Sequence, residues 1–327
     1  MAVSWLAMLP VLATAHHSRA GFLDETTELV GELVAVDWRN PHFRFTLRTQ
    51  RDGVEQRWAA EALSLYALQR EGVTRDLFQV GARVRVAGQR SSRGDLAFHA
   101  TNMLLPDGRE VLIANNAEPR WSDDYIGGRD LLVAELDTER VRDENRGLFR
   151  VWSAPRPNPI ERQLAFTAAA VAARDGWDYF DNPAIRCESE GMPRIVTSPH
   201  PYEFVDNGDT ITMRLELYDI VRTIHMQRSA APPDEPSSAL GYSTGAWENG
   251  TLVVRTDRIS WPYFDLIGTP ISEQLAVVER YTVSEDQSRL DYHFTITDPA
   301  TFTRPATIEG YRLALEETIP LYDCQAG

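Results

Sequence analysis

Apolar and polar positions alternate along most of this chain. From Leu29 to Leu104 the alternation comes in short segments, LVGELVAVDW, HFRFTLRT, VEQRWAAEA, ARVRVAGQ and LAFHATNMLLP. Each has the period of a strand with one buried and one solvated face. Turn signals at Asn40-Pro41, Arg51-Asp52-Gly53 and Ser91 to Gly94 separate them, and a short helix fits Leu63 to Glu71 with Gly72 as its stop. Five strands with a helix between the third and fourth is the element order of a small Greek-key barrel of the OB type. The pattern predicts such an OB-like barrel over residues 16–114.

Residues 115–157 read as a connecting segment, rich in breakers and then in charge, that ends in the strand-like GLFRVWSAP. The alanine-rich stretch Ile160 to Arg174 predicts one packed helix, stopped by Gly176. Beyond Cys187 the chain is strands and turns, with Asn249-Gly250 between GAWE and TLVVRT as a strong hairpin signal. So many strands in residues 158–327 predict a larger antiparallel β-barrel or curled sheet, which avoids open edges. The fold class is therefore mainly β.

The stretch Thr210 to Met226, TITMRLELYDIVRTIHM, carries the best chemical clue. Its alternation breaks at Tyr218 and Asp219, which implies either a bulge or a tight reversal. Polar side chains sit among its apolar ones. A Glu216 held by Arg214 or Arg222 is the expected ion pair, and a His225 beside Glu216 would make an acid–base couple for a carbonyl, glycosidic or lactone substrate. Arg214, Arg222, Trp247 and Tyr292 are the candidate ligand-binding residues. The competing reading of the same residues is a structural salt-bridge network or a solvated outer face.

Composition narrows the function. A formal charge of -15 removes the electrostatic attraction on which nucleic-acid binding depends, so the aromatic residues of the small barrel are not read as a base-stacking face. The apolar run Trp5 to Ala13 ends in Ala13-Thr14-Ala15, so residues 1–15 read as a cleaved signal peptide and the protein as periplasmic or secreted, with no membrane insertion after cleavage. In an oxidising compartment Cys187 and Cys324 are expected to form a disulfide. Cleavage after Ala15 would place His16 and His17 at the mature N-terminus, where an amine and an imidazole can chelate copper, with His42 or His99 completing a site. No metal is otherwise implied.

HHSRAGFLD followed by VAVDWRNPHFRF resembles an uncharacterised family of exported bacterial proteins that begin AHHS after the signal and carry a W-x-N-P-H motif. DNPAIRCESEGMPR, RTIHM, GYSTGAWENGTLVVRT and ERYTVSEDQSRLDYHFTITDPATFTRP resemble a companion β-rich region of similar proteins. The resemblance implies a shared fold and no particular activity. Gln227-Arg228-Ser229 stands where that family has D-G-R. Three functions follow as expectations: binding of a small amphipathic ligand in the second domain, an enzyme built on Glu216 and His225, or copper binding through His16.

Overall fold

The computed structural model describes residues 21–128, 138–155, 158–177, 182–315, 319 and 321–324. The expected signal peptide and the proposed metal ligands His16 and His17 lie outside the described residues.

The first sheet comprises β1 (Phe22–Asp37), β2 (Arg44–Arg51), β3 (Val54–Glu61), β4 (Arg83–Ser91), β5 (Ala97–Leu104) and two short strands, β6 (Glu110–Leu112) and β7 (Tyr125–Ile126). β1 pairs with both β2 and β4, while β5 pairs with β4 and runs parallel to β3. Five strands thus close in the order β1-β2-β3-β5-β4. Helix α1 (Leu65–Arg70), whose N-cap Ser64 accepts from the Ala67 amide, lies between β3 and β4. This is the connectivity expected of an OB-like barrel. Asp52 and Gly53, both at positive φ, make the β2–β3 hairpin turn. At Gly88, beside a register shift in β4, a Cβ would lie 2.1 Å from the His99 carbonyl oxygen, so only glycine lets the strands approach there. Phe43, Phe45, Trp58, Phe78 and Phe98 fill the interior.

The second sheet comprises β8 (Val151–Ser153), β9 (Glu161–Gln163), β10 (Tyr202–Asp206), β11 (Thr210–Leu215), β12 (Ile220–His225), β13 (Tyr242–Glu248), β14 (Thr251–Asp257), β15 (Ala276–Val283), β16 (Arg289–Thr297) and β17 (Ala306–Leu315). In the order β16-β15-β14-β13-β12-β11-β10-β8-β17, with β17 returning to β16, nine strands form a closed barrel. β8 and β9 share the other edge of β17. Neighbours are antiparallel except β12 and β13, whose short parallel pairing needs the crossover of residues 226–241. Closure leaves the ring of described strands without a free edge, which is the stable outcome for so many strands.

Local details refine the expectations. The break at Tyr218 and Asp219 is a tight reversal with both residues at positive φ, and β11 and β12 form a hairpin around it. Asn249 and Gly250, also at positive φ, turn β13 into β14. The alanine-rich helix is shorter than Ile160 to Arg174. Glu161–Gln163 is captured as strand β9, and Thr167 caps the Ala170 amide to start the helix at Ala168. A further short helix, α2 (Thr138–Glu144), precedes it, so the alanine helix is α3 (Ala168–Asp175); it packs through Ala170 and leaves its other alanines largely exposed. Among the described residues no helix is long and apolar enough to cross a membrane.

The large barrel is filled rather than hollow. Tyr202, Phe204, Met213, Tyr281 and Phe294 occupy its interior together with two buried guanidinium groups. Arg222 makes a two-pronged contact with Glu279, at 2.8 and 2.6 Å, and also donates to Ser243 and Thr256. Arg312 donates to the carbonyls of Val196, Ser198 and His200, with its guanidinium 3.9 Å from the centre of the Tyr202 ring. Their positive charges survive burial because acceptors and an aromatic face replace water.

The corner after β16 is held by Asp298, which is 1% exposed and accepts from the Ser272 amide and hydroxyl, the Ala300 amide and the Thr301 hydroxyl. Burial pushes its carboxyl up, and the hydrogen bonds from Ser272, Thr301 and Ala300 outweigh burial and hold it below the usual carboxylate range. A depressed native pKa stabilises the fold above the unfolded value of about 4 and loses that contribution as pH falls through the native one. Asp298→Asn is expected to cost about 1–3 kcal/mol in urea unfolding at neutral pH. The gap to wild type narrows below pH of about 4, and a gap independent of pH would refute the account.

Candidate functional site

The acid–base couple predicted from Glu216 and His225 does not form. Glu216 follows β11 at the reversal, whereas His225 lies opposite Thr210 at the far end of the same hairpin, where its ring stacks on Tyr242 at 4.5 Å. Several residues of strand, at about 3.3 Å each, separate the two. Nor does either arginine hold Glu216. Arg214 faces outward and pairs with Glu203 at 3.0 Å, and Arg222 faces inward to Glu279.

Glu216 instead meets His200, whose Nδ1 lies 2.9 Å from its Oε2. The β10–β11 register causes this: Tyr202 pairs with Leu215, and the next step outward, Pro201 carbonyl to Glu216 amide at 3.0 Å, puts His200 beside the carboxylate. The side chains are 11% and 3% exposed. Tyr66 of α1 packs on His200 at 4.9 Å and Tyr322 at 5.6 Å, while Arg70 donates to the Tyr66 and Ser153 hydroxyls and to the Ala154 carbonyl. With Nδ1 donating to the carboxylate, Nε2 is a base in principle. Its aromatic cover and the contacts from α1 make this cluster foremost the joint between the two barrels.

The proposed ligand-binding residues are likewise dispersed. Arg214 is outside, Arg222 is inside, and Trp247 is 49% exposed at the end of β13 with its ring edge-on to Phe149. Tyr292 borders a concave surface. It is 4% exposed, points into the barrel beside Phe294, and lies across from Gly310 on β17. A Cβ at position 310 would sit 2.5 Å from the Tyr292 hydroxyl and 2.8 Å from the Pro159 carbonyl oxygen. The missing side chain therefore leaves room for that hydroxyl and for the Pro159 carbonyl, and all three residues border a groove over β15, β16 and β17. Burial pushes the Tyr292 hydroxyl up in pKa, so it is a neutral donor. The residue borders the groove, where its hydroxyl can donate to a ligand or to water.

Cross-strand pairing sets the rest of the groove. Arg280, His293 and Glu309 form one row on the outer face, and Thr282, Asp291 and Tyr311 form the next. Arg289 lies 4.1 Å from the centre of the Tyr311 ring and donates to Asp291 at 2.8 Å. Glu161 and Pro159 close the side nearest β9. Strand parity makes all of these but Tyr292 and Gly310 outward-facing, a signal readable in RLDYHFTI once its apolar face is recognised.

A second groove runs over the outer face of the small barrel, floored by Ala35, Thr46, Ala59 and Ala97, with Asp37 and Arg44 paired at its edge. His42 directs Nδ1 to the Ala62 carbonyl at 3.1 Å and lies 4.0 Å from Glu61. Among the described residues no group of three or more His, Cys, Asp or Glu side chains is placed to hold a metal ion. The expected disulfide is present, Cys187 to Cys324.

Residues 5–98 match DUF6152, a family of unknown function. The match spans the small barrel up to the start of β5 and stops short of the groove over β15, β16 and β17. No curated protein matches the chain. Among solved structures, Rim1, a mitochondrial single-stranded DNA binding protein from S. cerevisiae, is 14% identical, with 25% of this chain and 93% of that chain covered at a TM-score of 0.21. A single-residue mutant of the fluorescent protein UnaG is 13% identical, covering 52% and 98% at 0.26. A protein of unknown function from the DUF3598 family of Nostoc punctiforme is 9% identical, covering 91% and 97% at 0.23. Likenesses at these TM-scores carry no argument about this chain.

Proposed function

We propose that this is an exported protein that binds a small amphipathic ligand in the groove over β15, β16 and β17. The observation that carries the reading is the Tyr292 phenol, a largely buried residue packed against Gly310 whose hydroxyl borders the groove among the polar side chains of three strands. A few polar groups converging on a concave surface beside aromatic and proline side chains is the composition of a ligand seat. The filled interior of the barrel favours this outer groove over a lumen site.

Two variants test it. Tyr292→Phe removes one donor without changing the packing volume, and is expected to weaken binding about 2- to 10-fold, the worth of one hydrogen bond. Thr282→Trp, at an exposed position on the rim, is expected to abolish binding while leaving the melting temperature near that of wild type. Native mass spectrometry of protein from its producing cells reads a retained small molecule directly, and equal retention by wild type and Thr282→Trp would overturn the reading. The same spectra report the mature N-terminus, where a start at His16 supports export and an intact Met1 contradicts it.

A further inference from the structure

We infer that the groove selects a neutral, polyhydroxylated ring of the sugar or cyclitol class; the inference rests on the groove being the ligand seat. Charge balance comes first. Two guanidinium groups, Arg280 and Arg289, stand among three carboxylates, Asp291, Glu309 and Glu161, and each already pairs with an acid, Glu248 and Asp291 respectively, so opposite charges interleave across the groove floor. An anionic head brought there would meet Asp291 and Glu309, and a cationic one would meet the two guanidinium groups. The formal charge of -15 repels anions further.

A hydroxyl group suits this surface because it donates and accepts at once. It can give its proton to a carboxylate of one strand while taking a hydrogen bond from a guanidinium of the next. Cross-strand pairing repeats that alternation of donors and acceptors, Arg280 with His293 and His293 with Glu309, at the spacing of about 4.8 Å between neighbouring strands. Ligands carrying one polar head would satisfy a single pair and leave the others to water. The Tyr292 hydroxyl, at the edge of the groove floor beside Gly310, adds a neutral donor. Tyr311 and Pro159 supply the apolar surface for the carbon-bound face of such a ring.

The test uses the full mature chain and isothermal titration with four probes: glucose, myo-inositol, octanoate and an alkyl trimethylammonium salt below its micelle concentration. Each is titrated into wild type, Thr282→Trp, Tyr292→Phe and Ala59→Trp, the last filling the groove on the small barrel. The expected result is binding of a neutral ring, weakened more than 10-fold by Thr282→Trp, unchanged by Ala59→Trp, and nearly constant between roughly 50 and 500 mM salt because no net charge is screened. Binding of octanoate or the ammonium salt alone, lost in Thr282→Trp, overturns the sugar class and leaves the groove as the seat. Binding that survives Thr282→Trp, or binding of none of the four, overturns both.

Discussion

Replacing Cys187 and Cys324 with serine is expected to lower stability by between about 2 and 5 kcal/mol, the largest loss from any change that leaves the barrel interior untouched. The bond joins residues 137 apart, and the loop it closes contains β10 to β17, eight of the nine barrel strands. Restricting a loop of that length in the unfolded chain is the main source of the effect. A second contribution comes from the tail it anchors. Tyr322, 3% exposed, donates its amide to Asp219, accepts from the Asn40 side chain at 2.7 Å, and packs its ring on His200 and Tyr218. The tail thus straps the β11–β12 reversal to the small barrel. Urea unfolding of the double-serine variant reads the loss. Limited proteolysis is expected to cut near the C-terminus first. A midpoint within error of wild type would mean that the bond adds nothing to the closed barrel.

Arg222→Ala and Glu279→Ala are each expected to cost about 3–5 kcal/mol, since each leaves the other charge buried without its partner. Burial disfavours the Arg222 cation, and Glu279 and Tyr281 more than offset it, so that its pKa is raised. Tyr281, pushed well above its ordinary value by burial and by the same carboxylate, stays neutral and donates to Glu279 at 2.7 Å. The pair Arg222→Met with Glu279→Leu, which removes both charges and keeps volume, is expected to lose much less than the sum of the single changes. Denaturant midpoints of wild type, Arg222→Met, Glu279→Leu and the double variant complete the cycle, and additive losses would show that the two groups do not act as a pair. Glu216→Ala also uncouples a buried group, His200, but at the joint between barrels rather than inside one.

Much of the interior was readable from parity. In β12 Arg222 shares a face with Ile220 and Ile224, and in β15 Glu279 shares one with Val277 and Tyr281; alternation groups them so and leaves open which face is buried. That they meet was not readable, because the contact crosses three strand boundaries whose registers depend on the turns between them. The pairing of Glu216 with His200 was missed for the same reason: it follows from the β10–β11 register, and no local pattern around His200 marks it. The helix start was lost to a competing pairing, Glu161–Gln163 with β17.

By itself the sequence determined the strand class, the OB-like element order, the hairpin at Asn249-Gly250 and the Cys187–Cys324 bond, because period-two alternation, turn residues and cysteine parity are local or countable properties of a chain. Only the tertiary structure decided that the larger sheet closes, that its interior is occupied by an ion pair, and that Gly310 makes room for the Tyr292 hydroxyl. Each of these depends on which strands become neighbours, and that choice is made by the whole barrel at once, since every strand must satisfy its backbone groups on both edges.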